Sequence, residues 1–155
     1  WPGDLGWTYT VVGSPAGGAL LVPLASAFVP QSFVDSSIES IFAPQAAPEG
    51  YAHEVGAALV LRRFSMRANA QQVNTLRPHI VKMFQNYPGL EMPFEIVHGD
   101  ADTIVPLDIH ARPLSQQVRN ANLTVLEGIG HMPHHVAPDA VEAAIDRAAS
   151  RAGLR

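Results

Sequence analysis

The stretch that decides the fold is "FEIVHGDADTIVP", residues 94–106. It opens as a short apolar run rich in β-formers and stops at Gly99, as a buried strand does. Further along, "NLTVLEG" (122–128) reads as a second buried strand. Between them "LDIHARPLSQQVRN" (107–120) reads as a helix. "APDAVEAAIDRAASRAG" (137–153) reads as a final amphipathic helix with Val141, Ile145 and Ala149 turned inward. Strand, helix, strand, helix with short connections is the α/β pattern, and the two strands should lie parallel. Two such strands, apolar on both faces, do not make a stable sheet alone, because parallel sheets need several strands and helices on both faces. The rest of the sheet is expected from outside these residues.

Reacting groups in an open parallel sheet gather in the loops at the carboxyl ends of its strands. The first strand runs into "HGDADTIVP" (98–106) and the second into "EGIGHMPHH" (127–135), so a carboxylate and an imidazole should meet on one edge of the sheet. A carboxylate bonded to one ring nitrogen fixes the tautomer and leaves the other nitrogen to take and return a proton. Asp102 and Asp100 both compete for the carboxylate role, and Asp102 has a plainer reading as the cap of a helix starting near Pro106. His131 is the imidazole aimed by its loop: Gly128 and Gly130 let the backbone turn sharply out of the strand, and Pro133 limits the far side. Its plainer reading is a loop histidine packed among turn residues.

Other histidines raise a metal question, with His98, Asp102, His131 and His134 as conceivable ligands. The spacing H-x-x-H-H fits no regular helical pair and Pro133 breaks the local geometry, so no metal is expected, nor any cofactor. His98 reads as a hydrogen-bonded core residue at the end of the first strand, and His135 as a residue against the pocket or its rim. His53, His79 and His110 fall in helical segments and take structural or solvent roles.

Upstream the texture changes. From Leu5 to Val34 there is no charged side chain, and "VVGSPAGGALLVPLASAFVP" (11–30) is apolar enough to suggest a membrane. Pro15, Pro23 and Pro30, with Gly13, Gly17 and Gly18, would break a continuous span, and "LASA" (24–27) resembles a signal-cleavage site without the basic segment that should precede it. A buried or lid-forming helical segment is the reading adopted, with peripheral membrane contact as the alternative; cytoplasmic placement is favoured but not determined. Trp7, Phe28 and Phe33, with His135, are expected to line a pocket for a small lipophilic substrate. Three more helical segments follow: "QSFVDSSIESIFAP" (31–44), ended by Pro44, "PEGYAHEVGAALVLRRFS" (48–65), begun by Pro48, and "ANAQQVNTLRPHIVKMFQNY" (68–87), bent at Pro78.

Composition narrows the function classes. The chain has 155 residues, 47% of them hydrophobic, enough for one domain with a real core. Its formal charge is −4 with no basic patch, which argues against nucleic acid. With no cysteine, a disulfide framework, a thiolate nucleophile and a Cys-ligated zinc site are excluded. Trp1 is no translation start, so the chain is expected to be a processed product or one piece of a longer protein.

"HGDADTIVP" followed 29 residues after Asp102 by His131 of "GHMPHH" resembles the C-terminal half of the α/β-hydrolase fold, whose triad runs nucleophile, acid, histidine. The resemblance implies Asp102, at the Asp of G-x-x-D-x-x-V-P, as the acid and His131 as the general base. It implies a helical cap over residues 1–66 and the C-terminal part of the core over 67–155. The family's nucleophile motif, G-x-S-x-G, is absent: Ser14 in "VVGSPAG" lacks the glycine two positions before it, and Ser65 in "RFSMR" has no glycine near. Asp4 in "PGDLG" has no strand before it. The nucleophile, the oxyanion donors and most strands are therefore expected in an N-terminal segment that partners this chain. The resemblance implies hydrolysis of carboxylic esters or related acyl compounds. Two alternatives stand beside it: haloalkane or epoxide hydrolysis with an Asp nucleophile in that segment, and a non-catalytic binding or partner subunit.

Overall fold

The computed structural model describes residues 6–154, with side chains from Tyr9 onward. Trp1 and Asp4 lie outside the described residues, as does the side chain of Trp7. The chain divides into two compact units, one of Glu39–Ala47 with Met83–Arg155, the other of Pro2–Ile38 with Pro48–Lys82. Residues 66 and 67, where the sequence suggests a boundary, lie within the helix Arg63–Met83.

The first unit holds the strands. β1 (Phe94–Gly99) and β2 (Ala121–Leu126) pair in parallel, in register from Phe94 opposite Ala121 to Gly99 opposite Leu126. The crossover carries helix over Ala111–Gln117 only; residues 107–110, expected to be helical, form turns, so His110 sits just before the helix rather than within it. A short helix, Pro133–Val136, and a long one, Pro138–Arg151, complete the unit, and the long one lies against β1. Phe42, Leu107, Ala111, Val118 and Ala144 are its buried apolar side chains.

Ile145 was expected inward on the last helix but is 62% exposed, while Ala144 is 4% exposed. The covered stripe runs through Val141, Ala144 and Ala148 at spacings of three and four, which turns Ile145 to the side of the contact with β1. Both strands are only half-covered, with Val125 41% exposed, as two strands without a full sheet should be.

A charge cluster ties the long helix to the sheet. Glu95 on β1, 5% exposed in its side chain, is held by Arg151 at 2.6 Å and Arg147 at 3.2 Å. Arg147 also donates to Thr124 and Arg151 to the carbonyl of Asn120, so the two guanidinium groups span both strands. Burial pushes Glu95 up, but hydrogen bonds from Arg151, Asn122 and Arg147 outweigh it and hold its carboxyl below the usual range.

The second unit is helical, comprising α1 (Gly6–Gly13), α2 (Pro15–Phe28), most of α3 (Gln31–Phe42), a short α4 (Tyr51–Glu54) and α5 (Arg63–Met83) up to Lys82. Ser14 makes the corner between the first two: its hydroxyl accepts from the amide of Gly17 at 3.0 Å and donates to the carbonyl of Val11 at 2.7 Å. Proline at the first position of α2 suits a helix start, where no amide donor is needed. Asn74 of α5 donates to the carbonyl of Tyr9, fastening α1 to the long helix. The single helix expected over 48–65 is instead α4 and a 3-10 turn, Ala57–Leu61, split at Gly56, whose φ of 62° is left-handed and ends a right-handed helix. Among the described residues no single helix is long and apolar enough to cross a membrane; α2 and α3 pass that test only together and are bent by 95° at their break.

Candidate active site

Because Gly99 and Leu126 end the paired strands side by side, the two following loops leave the sheet at the same edge. Gly99 leaves no room for a side chain, since a β-carbon there would collide with the carbonyls of Ile129 and Gly130. The second loop thus lies directly on the end of β1. The amide of Ala101 donates to the carbonyl of Ile129 at 3.0 Å, and the carboxylate of Asp100 accepts from the amide of Gly128 at 2.6 Å.

Asp102 is the one buried charged or polar residue among those described, 7% exposed, and it uses both oxygens. Oδ1 accepts from the amides of Ile104 at 2.9 Å and Val105 at 2.8 Å, the geometry expected of an Asp in such a turn. Oδ2 stands 2.9 Å from Nδ1 of His131. Oδ1 thus closes a local turn, and the helix that Asp102 was expected to cap near Pro106 is not there, since helix begins only at Ala111; Oδ2 carries the charge pairing. Burial pushes its carboxyl up, but the hydrogen bonds from Val105, His131 and Ile104, and the charge of the imidazole, outweigh it and hold the group below its usual range. An ionised carboxylate accepts only, so Nδ1 of His131 carries a proton, and in the neutral ring this leaves the lone pair on Nε2.

His98 supports the same turn. Its Nε2 is 2.9 Å from the carbonyl of Val105, which only accepts, so that nitrogen is protonated; it also lies 3.5 Å from Oδ2 of Asp102. This is the hydrogen-bonded role expected of His98. Among the described residues, no group of three or more His, Asp or Glu could hold a metal ion.

The structure brings Asp102 and His131 together, with His131 32% exposed in its side chain. His135 lies in the same unit, exposed, with its ring 5.6 Å from that of buried Phe42 and 4.5 Å from His134. Phe28 and Phe33 belong to the other unit, where they are 77% and 61% exposed. One contributor had no signal in the sequence. The side chain of Gln45, just past α3, bonds to Gly128 and Gly130 immediately before His131. Nothing within a few residues of Gln45 marks it, because its partners lie more than eighty positions away.

No protein-family model matches the chain. In sequence it is 39% identical, over 44 residues, to a Synechocystis protein provisionally named a non-heme chloroperoxidase; the match takes in 28% of this chain and 16% of that protein. In structure it is similar to MGS-M2, an α/β-hydrolase enzyme from a Medee basin deep-sea metagenome library, with a TM-score of 0.59 at 16% identity over 97% of this chain and 52% of the other. A thermophilic esterase from Thermogutta terrifontis gives 0.57 at 18% identity, over 86% and 50%. A Mycobacterium tuberculosis protein provisionally named a non-heme bromoperoxidase gives 0.55 at 17% identity, over 96% and 55%. This chain spans about half the length of these solved structures. It has the α/β-hydrolase fold, in the portion that forms the C-terminal half.

Proposed function

We propose that Asp102 and His131 are the acid and base of a hydrolase acting on carboxylic esters or related lipophilic acyl compounds. The nucleophile would come from a segment outside these residues. The observation that carries this reading is the 2.9 Å bond between a buried, ionised carboxylate and a part-exposed imidazole at neighbouring strand ends. The esterase among the structural neighbours supports the choice of ester.

In this reading Nε2 of His131 takes the proton of the nucleophile's hydroxyl as it adds to the acyl carbon. Asp102 stabilises the imidazolium that forms, and the same nitrogen then protonates the departing alkoxide. Water repeats the sequence on the acyl-enzyme, returning the proton and releasing the acid. The apolar, uncharged segment around Phe28 and Phe33 is the candidate element for binding the acyl chain. Peripheral contact with a membrane through that segment is part of the same proposal.

The test is hydrolysis of p-nitrophenyl acetate and butyrate by the protein carrying both this chain and the nucleophile segment, as wild type and as H131A. Loss of three or more orders of magnitude in kcat is expected for H131A. Full activity in H131A would overturn the reading. This chain by itself is expected to hydrolyse neither ester.

A further inference from the structure

The loop before His131 has almost every peptide group engaged. Gly128 N–H goes to Asp100, Ile129 C=O receives Ala101 N–H, and Ile129 N–H reaches the carbonyl of Leu126 at 3.4 Å. The remaining pair is taken by one side chain. Gln45 Nε2 donates to the carbonyl of Gly128 at 2.7 Å, and Gln45 Oε1 accepts from the amide of Gly130 at 3.0 Å. The orientation of this amide is forced, because the carbonyl of Gly128 only accepts and the amide of Gly130 only donates.

A planar side-chain amide that brackets residue 129 through the carbonyl before it and the amide after it copies one bridge of a parallel sheet. It holds the loop in orientation as well as position. The clamp is itself anchored. Gln45 N–H donates to the carbonyl of Phe42 at 2.9 Å, and Phe42 is 1% exposed. Gly130 is pressed against the carbonyl of Ala43 so closely that a β-carbon would collide with it. Asp100 and Ala101 hold the loop from the side of the acid, and Gln45 holds it from the side of α3.

We propose that Gln45 is a positioning residue for the base: it fixes the backbone leading into His131, and so the direction in which the imidazole points. This rests on the reading of Asp102 and His131 given above. A shift of about 1 Å in a reacting group is enough to cost roughly a hundredfold in rate, so the clamp should act on kcat. Binding of substrate does not depend on it.

The experiment compares Gln45→Leu, which keeps the bulk and loses both bonds, with Gln45→Glu, which keeps the acceptor for Gly130 and loses the donor to Gly128. Each is made in the nucleophile-bearing protein beside H131A. The readouts are kcat and KM on p-nitrophenyl acetate and the NMR signal of the His131 Nδ1 proton. Q45L should lower kcat roughly ten- to a hundredfold with KM within about twofold, and should broaden that proton signal; Q45E should fall between. If H131A is inactive while both Gln45 variants stay within about twofold of wild type, Gln45 has no positioning role and the acid–base reading survives. If H131A is fully active, both proposals fall. A lowered kcat with an unchanged His131 proton signal also overturns the role of Gln45, and Q45E supplies the comparison should Q45L fail to fold.

Discussion

Asp102 and His131 are joined by one oxygen of a carboxylate whose other oxygen is spent on the backbone of its own turn. The turn therefore fixes the carboxylate, and the carboxylate fixes the ring. Each link is short in sequence except the last, which crosses 29 residues.

Asn at position 102 separates the two roles. Its oxygen still accepts from Ile104 and Val105, leaving an NH2 group facing Nδ1 of His131. The ring must then accept at Nδ1 and carry its proton on Nε2, where it can no longer serve as a base. D102N should lose the stability that the ionised carboxylate supplies at neutral pH, a melting temperature lower by about 2–4 °C per kcal/mol lost, while ester hydrolysis falls by roughly three to four orders of magnitude. Steady-state kinetics, with NMR assignment of the His131 tautomer, checks both halves.

Asp102 and Glu95 both have carboxyl groups held below their usual range in the folded chain. A depressed folded pKa means that the unfolded chain binds the proton first as pH falls. The stability they supply is thus complete above about pH 4–5, the ordinary carboxylate range, and drains away as pH falls through the lower folded values. Chemical denaturation from pH 7 to pH 2 should show E95Q less stable by about 2 kcal/mol at neutral pH, with the gap closing at the acid end. A gap that stays constant to pH 2 would contradict the assignment.

Gly130→Ala places a methyl group against the backbone carbonyl of Ala43, which has no rotamer by which to move away. A cost of about 1–3 kcal/mol is expected, read as a lowered denaturation midpoint at unchanged slope. Gly128 faces open space but has φ of 69°, so G128A should cost less, about 1 kcal/mol, through backbone strain alone.

Ser14 is a capping hydroxyl, bonded to Gly17 and Val11. S14A should lower stability by about 1 kcal/mol and leave ester hydrolysis intact, as measured by thermal melting and initial rates. A large loss of activity at constant stability would mean that this serine takes part in the chemistry.

What could be read from the residues alone followed from short-range rules. Apolar runs ending in glycine marked both strands, and their alternation with helical segments implied parallel pairing. From that pairing came the meeting of Asp102 with His131, since parallel strands send their following loops to one edge. The helix over 48–65 misled, because one glycine in a left-handed conformation outweighs a long favourable periodicity. Ile145 misled as well, since a helical stripe is resolved only by what lies against it.

Sequence by itself determined the strands, their direction and the two loops that carry the acid and the imidazole, because each depends on residues a few positions apart. Only the tertiary structure decided how the imidazole's loop is held: the Gln45 amide across Gly128 and Gly130, and the carboxylate of Asp100 on Gly128. A hydrogen bond between residues eighty positions apart leaves no periodic trace, and it exists only once the chain has folded back to bring donor and acceptor within 3 Å.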